Sequence, residues 1–172
     1  MVNTENIRAT VVKGLKEYLK IPFVRSNQTA KMPDMPYGRY TITTPATENN
    51  GTYGAYEDGT GRKPVKQIWS LTFESDKFEE AVNFASKARS WLDCVGTPIL
   101  NENDVIVERV GAIGDRSNLL TVDYQYSYGF DVTFWAFDEI SAEEFTTSDV
   151  IETVEFDTIT VKKTESLSGE GA

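Results

Sequence analysis

The chain has 172 residues, a formal net charge of −10, one cysteine and no histidine. This length suffices for one domain with its own hydrophobic core. The single cysteine, Cys94, cannot form an internal disulfide, as is usual in a reducing cytoplasm. The acidic balance argues against nucleic-acid binding, which needs clustered basic side chains. No apolar run reaches about 18 residues, so we expect neither a membrane span nor a signal peptide.

The negative charge is concentrated at the C-terminal end. From Asp138 onward there are ten acidic residues and two lysines, a net charge of −8, so residues 1–137 carry only −2. We therefore predict a folded domain at 1–140 and an acidic C-terminal extension at 141–172.

The N-terminal segment predicts an amphipathic helix from Thr4, a suitable N-cap, to about Lys20. Gly14 lowers its stability by about 1 kcal/mol relative to alanine. Ile21–Val24 could begin a short edge strand. Residues 27–38, which contain two prolines, are predicted to form an extended loop. The apolar stripe of the helix comprises Ile7, Val11, Leu15, Tyr18 and Leu19, with Val12 beside them.

Two strands are predicted on either side of a long glycine-rich segment. Arg39–Thr44 and Lys66–Phe73 alternate in the manner of strands. The segment between them, Pro45–Lys63, is unusually long for a loop in a compact domain. We interpret it as a β-hairpin arm that projects from the sheet, with Arg62 and Lys63 giving it a positive end.

A second helix is predicted at about 76–93, where small apolar residues recur at helical spacing and would let the helix pack closely on a sheet. Asp76 with Glu79 forms a capping pair, and Gly96 with Pro98 ends the helix. Cys94 lies at the C-terminal end, where the helix dipole does not favour a thiolate. We expect it to be a small buried apolar group.

The strongest strand pattern is a hairpin formed by Val105–Val110, a glycine-containing turn, and a long strand at Leu119–Phe137. Aromatic and β-branched side chains occupy one face of the long strand, and Trp135 lies among polar groups on the other. Gly129 predicts a bulge or bend. Because typical strands have about 5–6 residues, we expect a neighbouring chain to cover the surplus length.

The C-terminal extension carries one further strand signal. Residues 141–149 could form a short helix or a loop, and Ile151–Val161 alternates with Val154 and Phe156 as its buried pair. The remaining polar end predicts no element of its own.

Signals for catalysis or cofactor binding are weak. Without histidine, the commonest general base and metal ligand is missing. The carboxylates of Glu108, Asp123 and Asp131 suit the solvated face of a strand. The Glu57–Gly59 stretch lacks the ligand spacing of a calcium loop, and no phosphate-binding loop motif occurs. We therefore predict a protein that is not an enzyme and has no catalytic, cofactor-binding or metal-binding residues.

These patterns together predict an α+β fold, with an antiparallel or mixed sheet packed by both helices, a long hairpin arm and an extended C-terminal tail. The candidate functional residues are those that would contact other protein chains. They come from the arm, the hairpin turn, the outward face of the long strand and the tail, and they are Tyr53, Tyr56, Arg62, Lys63, Asp115, Arg116, Trp135, Val154 and Phe156.

The order of these elements, the Pro36–Ile42 strand start and the closing Tyr128–Phe134 strand give the chain a family resemblance. Over residues 1–140 it resembles phage neck or tail terminator proteins, also called tail-completion proteins. The resemblance implies a structural virion protein, assembled in the cytoplasm of a bacterial host. It also implies six copies in a ring on the head-proximal end of the tail tube. The ring would stop tube polymerisation and provide a docking face for neck and connector proteins.

Three further interpretations remain open. In a contractile tail, the C-terminal extension could also anchor the sheath. A head-closure or minor capsid protein would lie one layer higher in the neck. A small-molecule or peptide-binding module would instead be a monomer with one deep apolar pocket.

Overall fold

The structure is a computed structural model that describes residues 2, 4–47, 52–55, 59–117 and 125–147. The described residues form α-helices at α1 Thr4–Leu19, α2 Phe78–Ser90, α3 Thr97–Glu102 and α4 Ala142–Thr147. Their β-strands are β1 Phe23–Arg25, β2 Tyr37–Thr44, β3 Gly54–Ala55, β4 Gly61–Ser75, β5 Ile106–Val110, β6 Gly114–Asp115 and β7 Tyr126–Ile140.

The seven strands form one mixed sheet in the order β1-β2-β4-β7-β5, with β3 beside β4 and β6 beside β7. β1 runs parallel to β2, and the remaining pairs are antiparallel. The centre of the sheet is the β4–β7 pair, which continues in register from Gly61 with Ile140 to Ser75 with Tyr126. The predicted α+β class and the predicted mixed sheet are therefore confirmed.

One face of the sheet forms the hydrophobic core. Phe130, Val132 and Phe134 are fully buried, whereas Asp131 between them is exposed, as strand alternation requires. The buried stripe of α1 and the alanine face of α2 pack against this side. The small side chains let α2 approach the strands closely. The buried helix residues are Ile7, Val11, Gly14, Leu15 and Leu19 of α1, and Ala81, Ala85 and Ala88 of α2.

Trp91 joins α1 to the end of α2, and two glycines make room for its ring. A Cβ atom placed on Gly14 or on Gly96 would overlap the Trp91 indole. Trp91 itself is 2% exposed. Gly14 therefore lowers the intrinsic helix propensity of α1 but allows the close contact with Trp91.

The region after β4 corrects the predicted helix boundaries. α2 begins at Phe78 after an N-cap, Lys77, that makes no side-chain capping hydrogen bond, so the proposed Asp76 cap is wrong. Instead, the Ser75 hydroxyl accepts a hydrogen bond from the Lys77 amide at 3.2 Å. Gly96 caps the end of the helical stretch that continues α2, as predicted, but Pro98 does not stop it, because Pro98 lies in the first turn of the next helix, α3.

The end of α2 also corrects the prediction for Cys94. The chain passes from α2 into a π-helical turn at Trp91–Val95. In this wider turn Trp91 and Leu92 are buried, and Cys94 points to solvent. Cys94 is therefore not the buried apolar group that helical spacing predicted.

The strand predictions need two corrections. β4 begins at Gly61 and not at Lys66, so the end of the predicted arm belongs to the central sheet. Gly129 does not form a bulge in β7, because it pairs with Thr72 on one side and Gly114 on the other. A Cβ atom at Gly129 would overlap the Leu71 carbonyl oxygen, so glycine is required by close strand approach.

The remaining predictions concern the edges and the C-terminal tail. The edge strand after α1 is confirmed as β1, and the described part of the segment after β7 is helical, as α4. Register shifts occur in β2 between Ile42 and Thr44, and in β5 between Val107 and Arg109. The predicted strand Ile151–Val161 lies outside the described residues.

Candidate assembly surface

The alternation that fills the core places a second set of side chains on the opposite side of the sheet, which we call the outer face. The register fixes its cross-strand pairs, such as Lys66 with Trp135 and Ser70 with Asp131. The outer face comprises Lys66, Ile68, Ser70 and Thr72 of β4 and Asp131, Thr133, Trp135 and Phe137 of β7.

Ion pairs between neighbouring strands cover much of the outer face. Their nitrogen–oxygen distances are between 2.5 and 3.0 Å. Because each pair combines one positive and one negative side chain, this surface is close to neutral in a protein of net charge −10. The pairs are Arg39–Glu74, Arg62–Glu139, Lys66–Glu108 and Arg116–Asp131.

Glu74 is the buried member of this set, at 3% exposed. Its carboxylate accepts hydrogen bonds from Arg39 Nε at 2.7 Å, from Gln125 Nε2 at 2.8 Å and from the Ser127 hydroxyl. These three donors compensate the loss of hydration that a buried carboxylate suffers. Burial raises the pKa of the neighbouring Tyr37, and the Glu74 charge raises it further. The cluster ties the start of β7 to β4 and β2.

An aromatic and aliphatic cluster lies further along β7, and we call it the Trp135 cluster: Ile106, Trp135 and Phe137. The Lys66 ammonium lies 4.6 Å from the centroid of the Trp135 ring, a cation–π distance. Ile106 pairs with Trp135 across the strands and is 50% exposed, and Phe137 is 39% exposed. All three residues line a cleft of about 500 Å³.

The end of the β4–β7 pair carries a separate polar cluster. The Tyr53 hydroxyl donates a hydrogen bond to Asp138 Oδ2 at 2.7 Å. This bond raises the pKa of Tyr53 and lowers the pKa of Asp138. Lys63 Nζ lies 6.0 Å from the centroid of the Tyr53 ring. The arm is therefore held against the sheet at this point, and β3 pairs with β4 beside it.

The structure brings some of the predicted contact residues together. Arg62, Arg116 and Trp135 share the outer face, and Tyr53 with Lys63 lies at the end of the same strand pair. Asp115, predicted in the hairpin turn, lies in β6 opposite Tyr128, and hydrogen bonds from Ser117 lower its pKa. Tyr56, Val154 and Phe156 lie outside the described residues. That any of these residues contacts another chain stays a prediction.

Sequence reasoning missed three members of this surface. Ile106 and Phe137 were not selected because each lies in an apolar run, Val105–Val107 and Phe134–Phe137, which predicts a strand but not which of its residues stay exposed. Lys66 was treated only as the start of a strand. Ile106 and Lys66 could have been predicted from the strand register, because both pair with Trp135. No local sequence pattern specifies that register.

The described residues offer little for chemistry. They contain no group of three or more His, Cys, Asp or Glu side chains that could hold a metal ion. None of the helices in the described ranges is long and apolar enough to span a membrane.

The fold and the outer face define an α+β protein whose described part has a long, nearly neutral sheet surface. The sequence matches the family model described as "Phage neck terminator protein" over residues 9–165, so the chain belongs to the phage neck terminator family. No curated protein matches the sequence. The chain is accordingly a structural protein of the phage virion, and it interacts with other neck and tail components.

This family match confirms the resemblance that the element order suggested. The matched range also extends past Ile140 and includes Ile151–Val161.

Proposed function

We propose that this protein terminates the phage tail. Six copies close into a ring on the head-proximal end of the tail tube, stop its polymerisation, and provide the docking surface for the neck and head connector. The observation that best supports this is the β4–β7 pair of 15-residue strands. These strands are about three times as long as the typical strand of about 5–6 residues. Their extra length provides sheet surface beyond the core for contacts between subunits.

The composition of the outer face suits such contacts. A closed ring needs two different, complementary patches on each copy. The Trp135 cluster supplies aromatic and aliphatic groups of the kind found at interface cores. The ion pairs beside it neutralise the charge of this surface. Two copies of an acidic protein could therefore approach there without strong repulsion.

The arm Pro45–Lys63 is proposed to contact an adjacent subunit or the tube below it. Its described part is held at the end of the sheet by the Tyr53–Asp138 hydrogen bond and the β3–β4 pairing. These contacts fix where the arm leaves the subunit, which a recognition arm requires.

The tail is proposed to add the strand Ile151–Val161 to a neighbouring protein by β-augmentation. The acceptor is either a ring mate or, in a contractile tail, the sheath. The alternating pattern of the segment and its inclusion in the family match support this role. None of these roles requires catalysis, and we propose none.

Native mass spectrometry of the purified chain, alone and mixed with tail tubes, tests the proposal, with negative-stain electron microscopy to locate the protein. We expect a closed six-copy ring, or a monomer that assembles to six copies at one end of each tube. A monomer that ignores tubes and binds the portal would instead identify a head-closure protein. A monomer that binds neither would overturn the assembly role.

A further inference from the structure

The edge of β2 opposite β4 is only partly covered. β1 pairs with Gly38, Arg39 and Tyr40 and ends there, because its last residue, Arg25, is the partner of Tyr40. In the described ranges no strand continues along Thr41–Thr44 on that side. The outward N–H and C=O groups of this stretch are therefore available to a further strand.

A groove of about 280 Å³ lies directly beside this edge, between α1 and β2. Tyr40 and Ile42 provide its apolar part. This volume is just below the range of about 300–1,000 Å³ typical of ligand pockets. It therefore suits one or two side chains of an extended peptide better than a whole small ligand.

The rim of the groove is positively charged on balance. Arg8, Arg25 and Glu5 line it, and Arg8 pairs with Glu5 at 2.8 Å while remaining 46% exposed. Arg25 is exposed and makes no ion pair with another described residue. An acidic partner would thus meet one uncompensated arginine at the end of β1.

The tail of the chain has the matching pattern. Residues 148–172, which follow α4, contain six acidic residues and two lysines. If Ile151–Val161 is a strand, Glu152, Val154 and Phe156 fall on one face. That face carries one carboxylate beside two apolar side chains. It complements the groove, in which arginines lie beside the apolar Tyr40 and Ile42.

We propose that the groove beside β2 receives Ile151–Val161 from a second copy of this chain, as an added edge strand. The tail leaves the sheet after β7, which lies on the other side of β4 from β2. A donor and an acceptor on opposite sides of one sheet give a head-to-tail contact, and repeating that contact closes a ring when the rotations between successive copies add up to one full turn. The proposal rests on the ring proposed above and names the ring mate, not the sheath, as the acceptor of the tail.

Disulfide trapping between two differently marked copies tests this contact in the full-length chain. With Cys94→Ser as background, one copy carries Arg25→Cys and the other Glu152→Cys, both on exposed or charged positions that leave the core unchanged. After mixing and oxidation, we expect a covalent heterodimer on a non-reducing gel. The matched control is Thr153→Cys, one residue along and on the opposite strand face, which should cross-link several-fold less.

A charge exchange provides an independent measurement. Arg25→Glu should weaken ring formation, measured by native mass spectrometry, and Glu152→Arg in the same chain should restore it. Lys87→Glu, an exposed position on α2, is the control for the added negative charge and should leave ring formation unchanged.

The outcomes separate this contact from the proposed function. If rings cap tubes but Arg25→Cys and Glu152→Cys do not cross-link, the proposed tail contact is wrong, while the proposed terminator role is unaffected. Equal cross-linking at residues 152 and 153 would overturn the strand pairing. A chain carrying both cysteines that closes an intramolecular disulfide would show that the tail lies on its own subunit, contrary to the proposal. Cross-linked copies without closed rings would support the contact and count against the ring.

Discussion

At three positions in this protein, the structure differs from what the local sequence predicts. Gly14 is a poor choice for a helix interior, yet it lies where α1 meets the Trp91 ring. Gly129 suggests a bulge, yet it lies in a regular ladder where two strands approach closely. Cys94 has the spacing of a buried residue, yet a π-helical turn exposes it. For the two glycines, the residue that decides the outcome is distant in sequence.

Gly14→Ala provides the first prediction at this scale. Alanine has the higher helix propensity by about 1 kcal/mol, but its Cβ atom would overlap Trp91, and overpacking a core costs about 1–3 kcal/mol. We expect a net loss of unfolding free energy, measured by urea denaturation. Gly114→Ala is the control, because a Cβ atom there meets nothing within 4 Å. A stabilised Gly14→Ala protein would contradict the Trp91 contact.

The Tyr53–Asp138 hydrogen bond gives a prediction about pH. The bond lowers the pKa of Asp138 in the folded state, so its stabilisation is present above the unfolded value of about 3.9. It is lost as the pH falls through the lower folded value. Tyr53→Phe should therefore be less stable than the unmodified protein at pH 7, by less than about 1 kcal/mol because the bond lies at a half-buried surface site that solvent still screens.

Urea unfolding between pH 7 and pH 2 measures this difference. The gap between Tyr53→Phe and the unmodified protein should shrink below about pH 4. Tyr18→Phe, an exposed tyrosine on α1, is the control and should show no such pH dependence. A gap that is constant with pH would contradict the charge-assisted bond.

At the scale of elements, the proposed assembly role involves the ends of the long strands, the arm and the tail. β4 and β7 extend together past β2 and β5, and the arm is attached at their free end. The tail begins at α4, immediately after β7. The elements proposed to reach neighbouring chains thus leave the subunit from the same end of the central strand pair.

Deletion of Asn50–Thr60 tests the arm. This deletion spares Gly61 and its pairing with Ile140, so the central sheet should persist. We expect loss of ring formation or abnormal tail length, measured by native mass spectrometry and by electron microscopy of assembled tails. Replacing the same residues with a Gly/Ser segment separates loss of side-chain contacts from loss of length. Normal rings and normal tails after deletion would remove the arm from the proposal.

Truncation tests the tail. A chain ending at Thr147 retains all described elements but lacks Ile151–Val161. If the tail joins ring mates, rings should dissociate at lower protein concentration than full-length chain requires. If it instead binds only the sheath, rings should form normally and sheath attachment should fail. A truncated protein with normal rings and normal sheath would leave the tail without a structural role.

At the scale of the whole molecule, the family and the surface agree on a structural role. The chain belongs to the phage neck terminator family. Its charge is strongly negative, but the outer face is neutralised by ion pairs and includes the Trp135 cluster. Because of this unequal distribution of charge and aromatic groups, we propose the outer face as a surface for contacts between copies.

Trp135→Ala tests that surface. Central aromatic residues at interfaces contribute about 2 kcal/mol or more, so we expect association to weaken by about 30-fold or more. Concentration-dependent native mass spectrometry measures it, and thermal unfolding checks that the subunit remains folded. Tyr18→Ala removes an aromatic side chain that is 40% exposed on the helical side, and serves as the matched control. Equal effects of the two substitutions would argue against the outer face.

The sequence by itself determined the fold class, the two main helices, the pairing of Val105–Val110 with the long strand, and the family. These follow from periodicity and element order, which are local or sequential properties of the chain. It also placed Arg62, Arg116 and Trp135 among the candidate contact residues, because each stands out from its neighbours in the sequence.

Only the tertiary structure decided which distant residues share a surface. The register of β4 and β5 against β7 brings Lys66 and Ile106 to Trp135. Among the described residues, the end of β1 at Arg25 leaves Thr41–Thr44 of β2 without a strand on that side. Local sequence cannot specify these outcomes, because a shift of one residue in pairing would exchange the two faces of a strand. Pairing is fixed by the packing of the whole core, in which both faces and both helices must fit at once.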